Sequence, residues 1–342
     1  MISGEEERKV ISGEEDKVAF EDKTSDQSTS TNGKKKIIFL AVAAIVIILA
    51  VVLGVVFGTR SNGDDANKSQ LSDSMPTPSS DLANFLSSVA LRKGAEFVDP
   101  FSYQSKALAY MEDIGSHGFT EESLVQRYAL ACFFFATSAV ATAYTDNDVE
   151  SGAPAPWTDA SLWMTAADEC QWFGIVCDEE GRVANIDLNE NGLTGSIPNE
   201  IVYLKETLTY LDISLNIIFN EYLDLEWMGQ LTNIRTLLVG SCYFLYNGVP
   251  PFLENLNKME QMDISYTLFH GPIRPEVFTA MTELTYLEMG GNGYNSTIPS
   301  EIATLPSLDS LYIENAFISG DLSFLASMDM ICKCILYYGR TT

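Results

Sequence analysis

Four carboxylates recur at one place in a repeating pattern. Asp187, Asp212, Asp263 and Glu288 each stand between two apolar residues, and Leu238 and Tyr312 take that place in two further repeats. If each triplet is a short strand, the apolar pair points inward and the middle residue points to solvent. Neighbouring strands lie about 4.8 Å apart, so the middle residues form a stripe, with Tyr210 and Tyr286 one step earlier along the same face. Such a stripe could bind a basic peptide, or bridge calcium to an acidic glycan. The solvated face of an acidic protein would carry the same residues.

Catalytic chemistry has little to work with. The only two histidines are His117, in a Gly-flanked loop, and His270, in a repeat turn, and no nucleophile motif accompanies either. No catalytic residue and no cofactor is therefore expected, and the chain reads as a binding protein rather than an enzyme. Cys332 and Cys334 stand at i, i+2 without a nearby histidine or second pair, which reads as packing cysteines and not as a metal site. Cys132 and Cys242 read as small buried hydrophobes.

The elements that would position the stripe are repeats. From Val183 onward, paired apolar residues recur at Ile186/Leu188, Leu211/Ile213, Leu237/Val239, Met262/Ile264, Leu287/Met289 and Leu311/Ile313, with a partial seventh unit at Cys334/Leu336. Successive second members lie 25, 26, 25, 25, 24 and 23 residues apart, a register that a random apolar-rich chain would not hold. Each unit buries its apolar face only by stacking on the next, which makes a solenoid. Asn191, Asn216 and Asn292 fall at the turns, where their side chains can bond backbone groups that a tight coil leaves unpaired. Cys242 and Thr267 take that place in two units.

These motifs carry a resemblance. Leu193-Thr-Gly-Ser-Ile-Pro198, Gly248-Val-Pro250, Gly271-Pro-Ile273 and Ser296-Thr-Ile-Pro299 resemble the turn of plant-type extracellular leucine-rich repeats. Trp163, Cys170-Gln-Trp-Phe-Gly-Ile-Val-Cys177 and Gly181-Arg-Val183 are similar to the N-terminal cap of that family, and the match spans roughly residues 157 to 336. The nearest likeness is to receptor-like proteins of photosynthetic eukaryotes, with an algal flavour in Arg127-Tyr-Ala-Leu-Ala131. The resemblance implies an α/β solenoid, a leucine-rich-repeat horseshoe with a helical N-terminal cap, and a disulfide between Cys170 and Cys177. That bond would imply an oxidising compartment. The departures are an inverted order of span and repeats, no kinase domain, irregular third and fourth repeats, and an end within a repeat without a paired-cysteine cap. An uncapped end exposes apolar core, so the chain reads as a truncated product or fragment.

The net charge is −27, and nearly all of it follows residue 60, because residues 1–60 hold nine acids and eight bases. A surface so acidic repels phosphates and excludes nucleic acid as a partner. Residues 1–36 read as a disordered cytoplasmic tail. Ile37–Phe57 is an uncharged apolar run long enough to cross a bilayer, so residues 37–58 read as a transmembrane helix. Lys34, Lys35 and Lys36 before it, against Arg60 alone after it, put the N-terminus in the cytoplasm and the repeats outside or in a lumen, a signal-anchor arrangement with the plasma membrane as the expected one. Residues 59–80 read as a flexible linker, 81–182 as a helical region with the repeat cap, and 183–342 as the repeats. A second apolar stretch, Tyr128–Ala143, reads as a buried soluble helix, with Thr120 as the helix start. Asn67 and Asn295 open N-glycosylation sequons.

The resulting expectation is a single-pass, receptor-like protein that recognises a peptide, protein or glycan and signals, if at all, through a co-receptor. The alternatives are an adhesive protein of the cell surface, or an inhibitor of secreted glycan-degrading enzymes.

Overall fold

The computed structural model describes residues 9–10, 81–138, 157–219, 225–244, 246–320, 323–327 and 335–336. The apolar run Ile37–Phe57, the linker with Asn67, and Cys332 and Cys334 lie outside the described residues, as does the tail apart from Lys9 and Val10. Among the described residues, no helix is long and apolar enough to cross a membrane.

Three helices open the described chain: α1 (Asp81–Val89), α2 (Tyr103–Ile114) and α3 (Glu121–Thr137). The start of α3 is where Thr120 predicts it. The Thr120 hydroxyl accepts from the Ser123 amide at 3.1 Å, and the Ser123 hydroxyl accepts from the Thr120 amide at 2.9 Å, a reciprocal cap on two otherwise orphaned donors. The largely apolar sequence of α3 from Tyr128 onward has a packing cause. Leu124, Tyr128, Ala131 and Cys132 join Leu86, Ala107 and Met111 in a core shared with α1 and α2. Ala129, Leu130 and Phe133 join the core of the repeats. A helix segment buried on both sides is apolar all round, which is what the expected buried helix requires over its described part from Tyr128 onward.

The cap follows. Trp157, Trp163 and Trp172 are buried in a chain of aromatic contacts, with ring centroids 4.7 Å and then 4.9 Å apart. Cys170 and Cys177 form the expected disulfide. The strand Ile175–Cys177 pairs antiparallel with Val183–Asp187, and so covers the first edge of the repeat sheet.

From there the strands Val183–Asp187, Tyr210–Asp212, Thr236–Leu238, Gln261–Asp263, Tyr286–Glu288 and Ser310–Tyr312 form one parallel sheet in chain order. Register is kept throughout: Ile186, Leu211, Leu237, Met262, Leu287 and Leu311 are cross-strand partners, and all are buried. Tyr312 pairs with Ile335, so a seventh strand, Ile335–Leu336, follows in the same sheet. Lys9–Val10 pairs antiparallel with that strand. A hydrogen-bonded ladder joins only strands on one side of a bilayer, so this pairing and a cytoplasmic position for residue 9 are alternatives.

Four of the coils return through a proline and a short helix. Pro198, Pro250, Pro275 and Pro299 precede the short helices Asn199–Leu204, Pro251–Asn255, Glu276–Thr279 and Ser300–Thr304. Gly248 holds φ at 97°, and a Cβ there would lie 2.6 Å from the Pro272 carbonyl oxygen, so both backbone angle and space demand glycine. At these turns small lateral sheets form, Thr194–Gly195 with Ile217–Ile218 and Tyr246–Asn247 with Phe269–His270.

The turn asparagines do bond between coils. Buried Asn216 accepts from the Asn191 and Leu193 amides at 3.1 and 2.9 Å, and donates to the carbonyls of Leu188 and Ile213 at 2.8 Å each. Asn292 repeats this with the Thr267 and Phe269 amides. At the two irregular positions, Cys242 offers only its thiol to the Ile213 carbonyl at 3.2 Å, and Thr267 its hydroxyl to the Ile264 carbonyl at 2.8 Å. The asparagine ladder is therefore interrupted at the third and fourth coils.

Candidate ligand-binding face

The residues of the expected stripe are cross-strand partners: Asp187 with Asp212, then Leu238, Asp263, Glu288 and Tyr312. A second column on the same face runs Asn185, Tyr210, Thr236, Gln261, Tyr286 and Ser310, because residues two apart on a strand share a side. The two columns touch. Tyr210 donates to Asp212 at 3.5 Å, Tyr286 donates to Glu288, and the rings of Tyr286 and Tyr312 lie 5.5 Å apart.

One expectation needs correcting. Asp212 does not face solvent: it is 7% exposed, and its Oδ1 accepts from the Ser214 amide at 2.9 Å and the Ser214 hydroxyl at 2.6 Å. It is a turn residue first, because a carboxylate held against the strand end meets donors that a bare strand pattern does not reveal. Asp187 is exposed, while Asp263, Glu288, Tyr210, Tyr286 and Tyr312 are half-buried. Asp263 sits against Gly240, where a Cβ would collide with its carboxylate.

The face is electrostatically uncompensated. Among the described residues none of Asp187, Asp212, Asp263 and Glu288 takes part in an ion pair. Arg235, just before its strand, is spent on Glu260 and Glu283. Burial pushes the Asp263 carboxyl above the usual aspartate range; the Ser265 amide, donating at 2.8 Å, opposes this, and Glu288 and Asp212 add to it. The Tyr210 phenol is pushed up to about 12, first by burial and then by Asp212 and Asp187. A cationic group arriving here would find negative charge, aromatic faces and phenol hydroxyls together. Among the described residues no group of three His, Cys, Asp or Glu side chains is placed to hold a metal ion.

Asn295 lies apart from this face, exposed, at φ 47° beside the turn Ser296–Pro299. His117 and His270 are both exposed and lie far apart in sequence. Sequence reasoning missed the polar centre that docks the helices on the cap. Arg127 is fully buried; its Nε and Nη2 donate to Glu169 Oε2 at 2.9 and 2.5 Å, and Nη2 also donates to the Ala167 carbonyl at 2.6 Å. Gln126 completes it, donating to Glu169 Oε1 at 2.9 Å and accepting from the Val183 amide at 2.7 Å. Adjacent polar residues inside an apolar helix were the available signal, since burial of such groups requires partners.

No protein-family model matches the chain. It is similar to the receptor-like protein kinase 7 of Arabidopsis thaliana, 28% identical over 155 residues, which are 45% of this chain and 16% of that protein. It is also similar to the receptor-like protein 39 of the same plant, 32% identical over 112 residues, 33% of this chain and 12% of that one. The chain thus matches less than a fifth of the length of these relatives. Among solved structures, the leucine-rich-repeat ectodomain of the receptor kinase SOBIR1 from Arabidopsis thaliana aligns with 44% of this chain and 84% of its own, at 20% identity and a TM-score of 0.39. A plant ice-binding protein aligns with 52% of this chain and 56% of its own, at 24% identity and a TM-score of 0.45.

Proposed function

We propose, for a chain whose sequence relatives are plant receptor-like proteins, that it is a membrane-anchored binding protein whose concave face takes a basic segment of a peptide or protein ligand. The observation that carries this reading is the pair of in-register columns, carboxylates beside tyrosines, with no basic partner of their own. Charge of one sign on a face steers and selects a ligand of the other. Asp187, Asp263, Glu288, Tyr210, Tyr286 and Tyr312 make the contacts; Asp212 holds the strand end. Signalling passes through a co-receptor, and Asn67 and Asn295 carry glycans on the outer side.

The test is selection of peptide ligands from a displayed library against the full chain in detergent or nanodiscs. Selected peptides are expected to be rich in arginine and lysine, and to weaken by roughly tenfold per lost charge contact in Asp263→Asn and Glu288→Gln. Binders indifferent to both substitutions would remove the concave face from the function.

Membrane anchoring rests on Ile37–Phe57 and the lysines before it. Sealed vesicles carrying the chain with its N-terminus on the cytoplasmic side should shield the repeats from added protease until the lumen is opened. Protection of residue 9 together with the repeats would instead favour the pairing of Lys9–Val10 with Ile335–Leu336.

A further inference from the structure

We infer that the turn joining α1 to α2, residues Leu91–Phe101, is a contact with the bilayer surface, so that the protein is held at its membrane at two places. The inference rests on the membrane-anchored reading above. Phe101 is 82% exposed, the most exposed large apolar side chain among the described residues, and Val98 and Leu91 in the same turn are 55% and 46% exposed.

The turn is one connected piece of backbone and not a frayed end. The Lys93 amide donates to the Ala90 carbonyl at 2.9 Å, and the Phe97 amide to Gly94 at 3.1 Å. The Ser102 hydroxyl reaches back to the Glu96 carbonyl at 3.0 Å, and the Arg92 amide donates to the buried Glu96 carboxylate at 3.0 Å. A turn so fastened presents its apolar tips at no further ordering cost, since their backbone is already fixed.

The turn itself is neutral, two bases against two acids, within a strongly acidic region, and Lys106 in the first turn of α2 adds a third cation beside it. Arg92, Lys93 and Lys106 are three of the twelve lysines and arginines that follow residue 60, in a region whose net charge is strongly negative. All three are exposed, and among the described residues none makes an ion pair. The acids of the turn are Asp99, which caps the Phe101 amide at 2.9 Å, and Glu96, which is buried. Exposed apolar tips ringed by unpaired cations are the composition that settles at a headgroup boundary, with the apolar groups below and the cations at the phosphates.

The experiment uses the full chain in proteoliposomes of phosphatidylcholine, with and without phosphatidylglycerol, with Cys332→Ser and Cys334→Ser to clear the background. A spin label is placed by Phe101→Cys, and in a second protein by Phe317→Cys, a position 76% exposed in the last described repeats. The expected result is a ratio of oxygen to nickel-chelate accessibility several-fold higher at residue 101 than at 317. That difference should grow with the anionic lipid and disappear in Leu91→Ser, Val98→Ser, Arg92→Glu, Lys93→Glu chains that melt as the parent does. Equal, water-like ratios in chains that resist alkaline extraction overturn the inference and leave the anchor intact. Release by alkali overturns both. Dipolar broadening at residue 101 would mark a second copy there, and also overturns the inference.

Discussion

Arg127 on α3 and Glu169 in the cap face each other with both side chains out of water, joined by two hydrogen bonds to a single carboxylate oxygen. The Arg127 guanidinium also lies 4.7 Å from the Phe119 ring and 5.2 Å from that of Trp172, so it is packed as well as paired. Removing one partner leaves a buried charge with nothing to offset its desolvation. Arg127→Ala should cost about 3–5 kcal/mol in urea unfolding, whereas Arg127→Met with Glu169→Met should recover much of that loss. A double variant no more stable than the single one would show that an unpaired buried charge is not the source of the loss.

Asn216 meets two amides of one coil and the carbonyls of two, so its loss strips several buried backbone groups at once. Asn216→Ala should destabilise by about 3 kcal/mol, since each orphaned buried group costs about 1–3 kcal/mol and the coil can relax around some of them. Hydrogen exchange is the informative measurement. Protection should fall first at Asn191, Leu193 and their neighbours, with the coils around Asn292 unaffected, because a solenoid communicates mainly between adjacent repeats.

What was readable in advance follows from that same one-dimensional character. In a solenoid the spatial neighbour of a residue is one period further along the chain, so Ile186, Leu211 and Leu237 announce their pairing through spacing alone. The two columns of the concave face inherit that legibility. Asp212 did not, because its burial depends on the Ser214 hydroxyl folding back upon it, which periodicity does not encode. Nor did the Arg127–Glu169 contact, whose partners are 42 residues apart in a region without repeats. Thr120 lay between these cases: its cap is local, and a local pattern suffices to find it.

A pH response follows from Glu200, in the first repeat. It is 2% exposed and accepts from the Tyr103 hydroxyl at 3.0 Å and the Gln104 amide at 3.1 Å, both on α2. Burial raises its carboxyl above the usual glutamate range; Gln104 and Tyr103 resist that, and the buried Glu96 carboxylate adds to it. A carboxyl whose folded value is raised takes up its proton more readily in the folded state. Its stabilisation is complete below the ordinary glutamate value and is lost as pH rises through the raised one. Mild acidification should therefore tighten the seating of α2 on the first repeat. Glu200→Gln should flatten this part of the dependence of melting temperature on pH, leaving the same-signed contribution of Asp263. A wild-type curve parallel to that of the variant would contradict the assignment.

The disulfide supplies a last prediction, because it neighbours the buried ion pair. Cys170 follows Glu169 directly, and its amide donates to Asp168 at 2.9 Å in the same short turn. Closing a loop between residues seven apart should contribute about 2.5 kcal/mol by restricting the unfolded chain. If that were its whole effect, Cys170→Ala with Cys177→Ala would add independently to Arg127→Ala. The bond also fixes the turn that presents Glu169, so the carboxylate of an unbridged chain can turn toward water once Arg127 is gone. The combined variant should then be destabilised by less than the sum of the two, by about 1 kcal/mol in a double-mutant cycle measured by urea unfolding. Strict additivity would show that the disulfide acts on the unfolded chain alone.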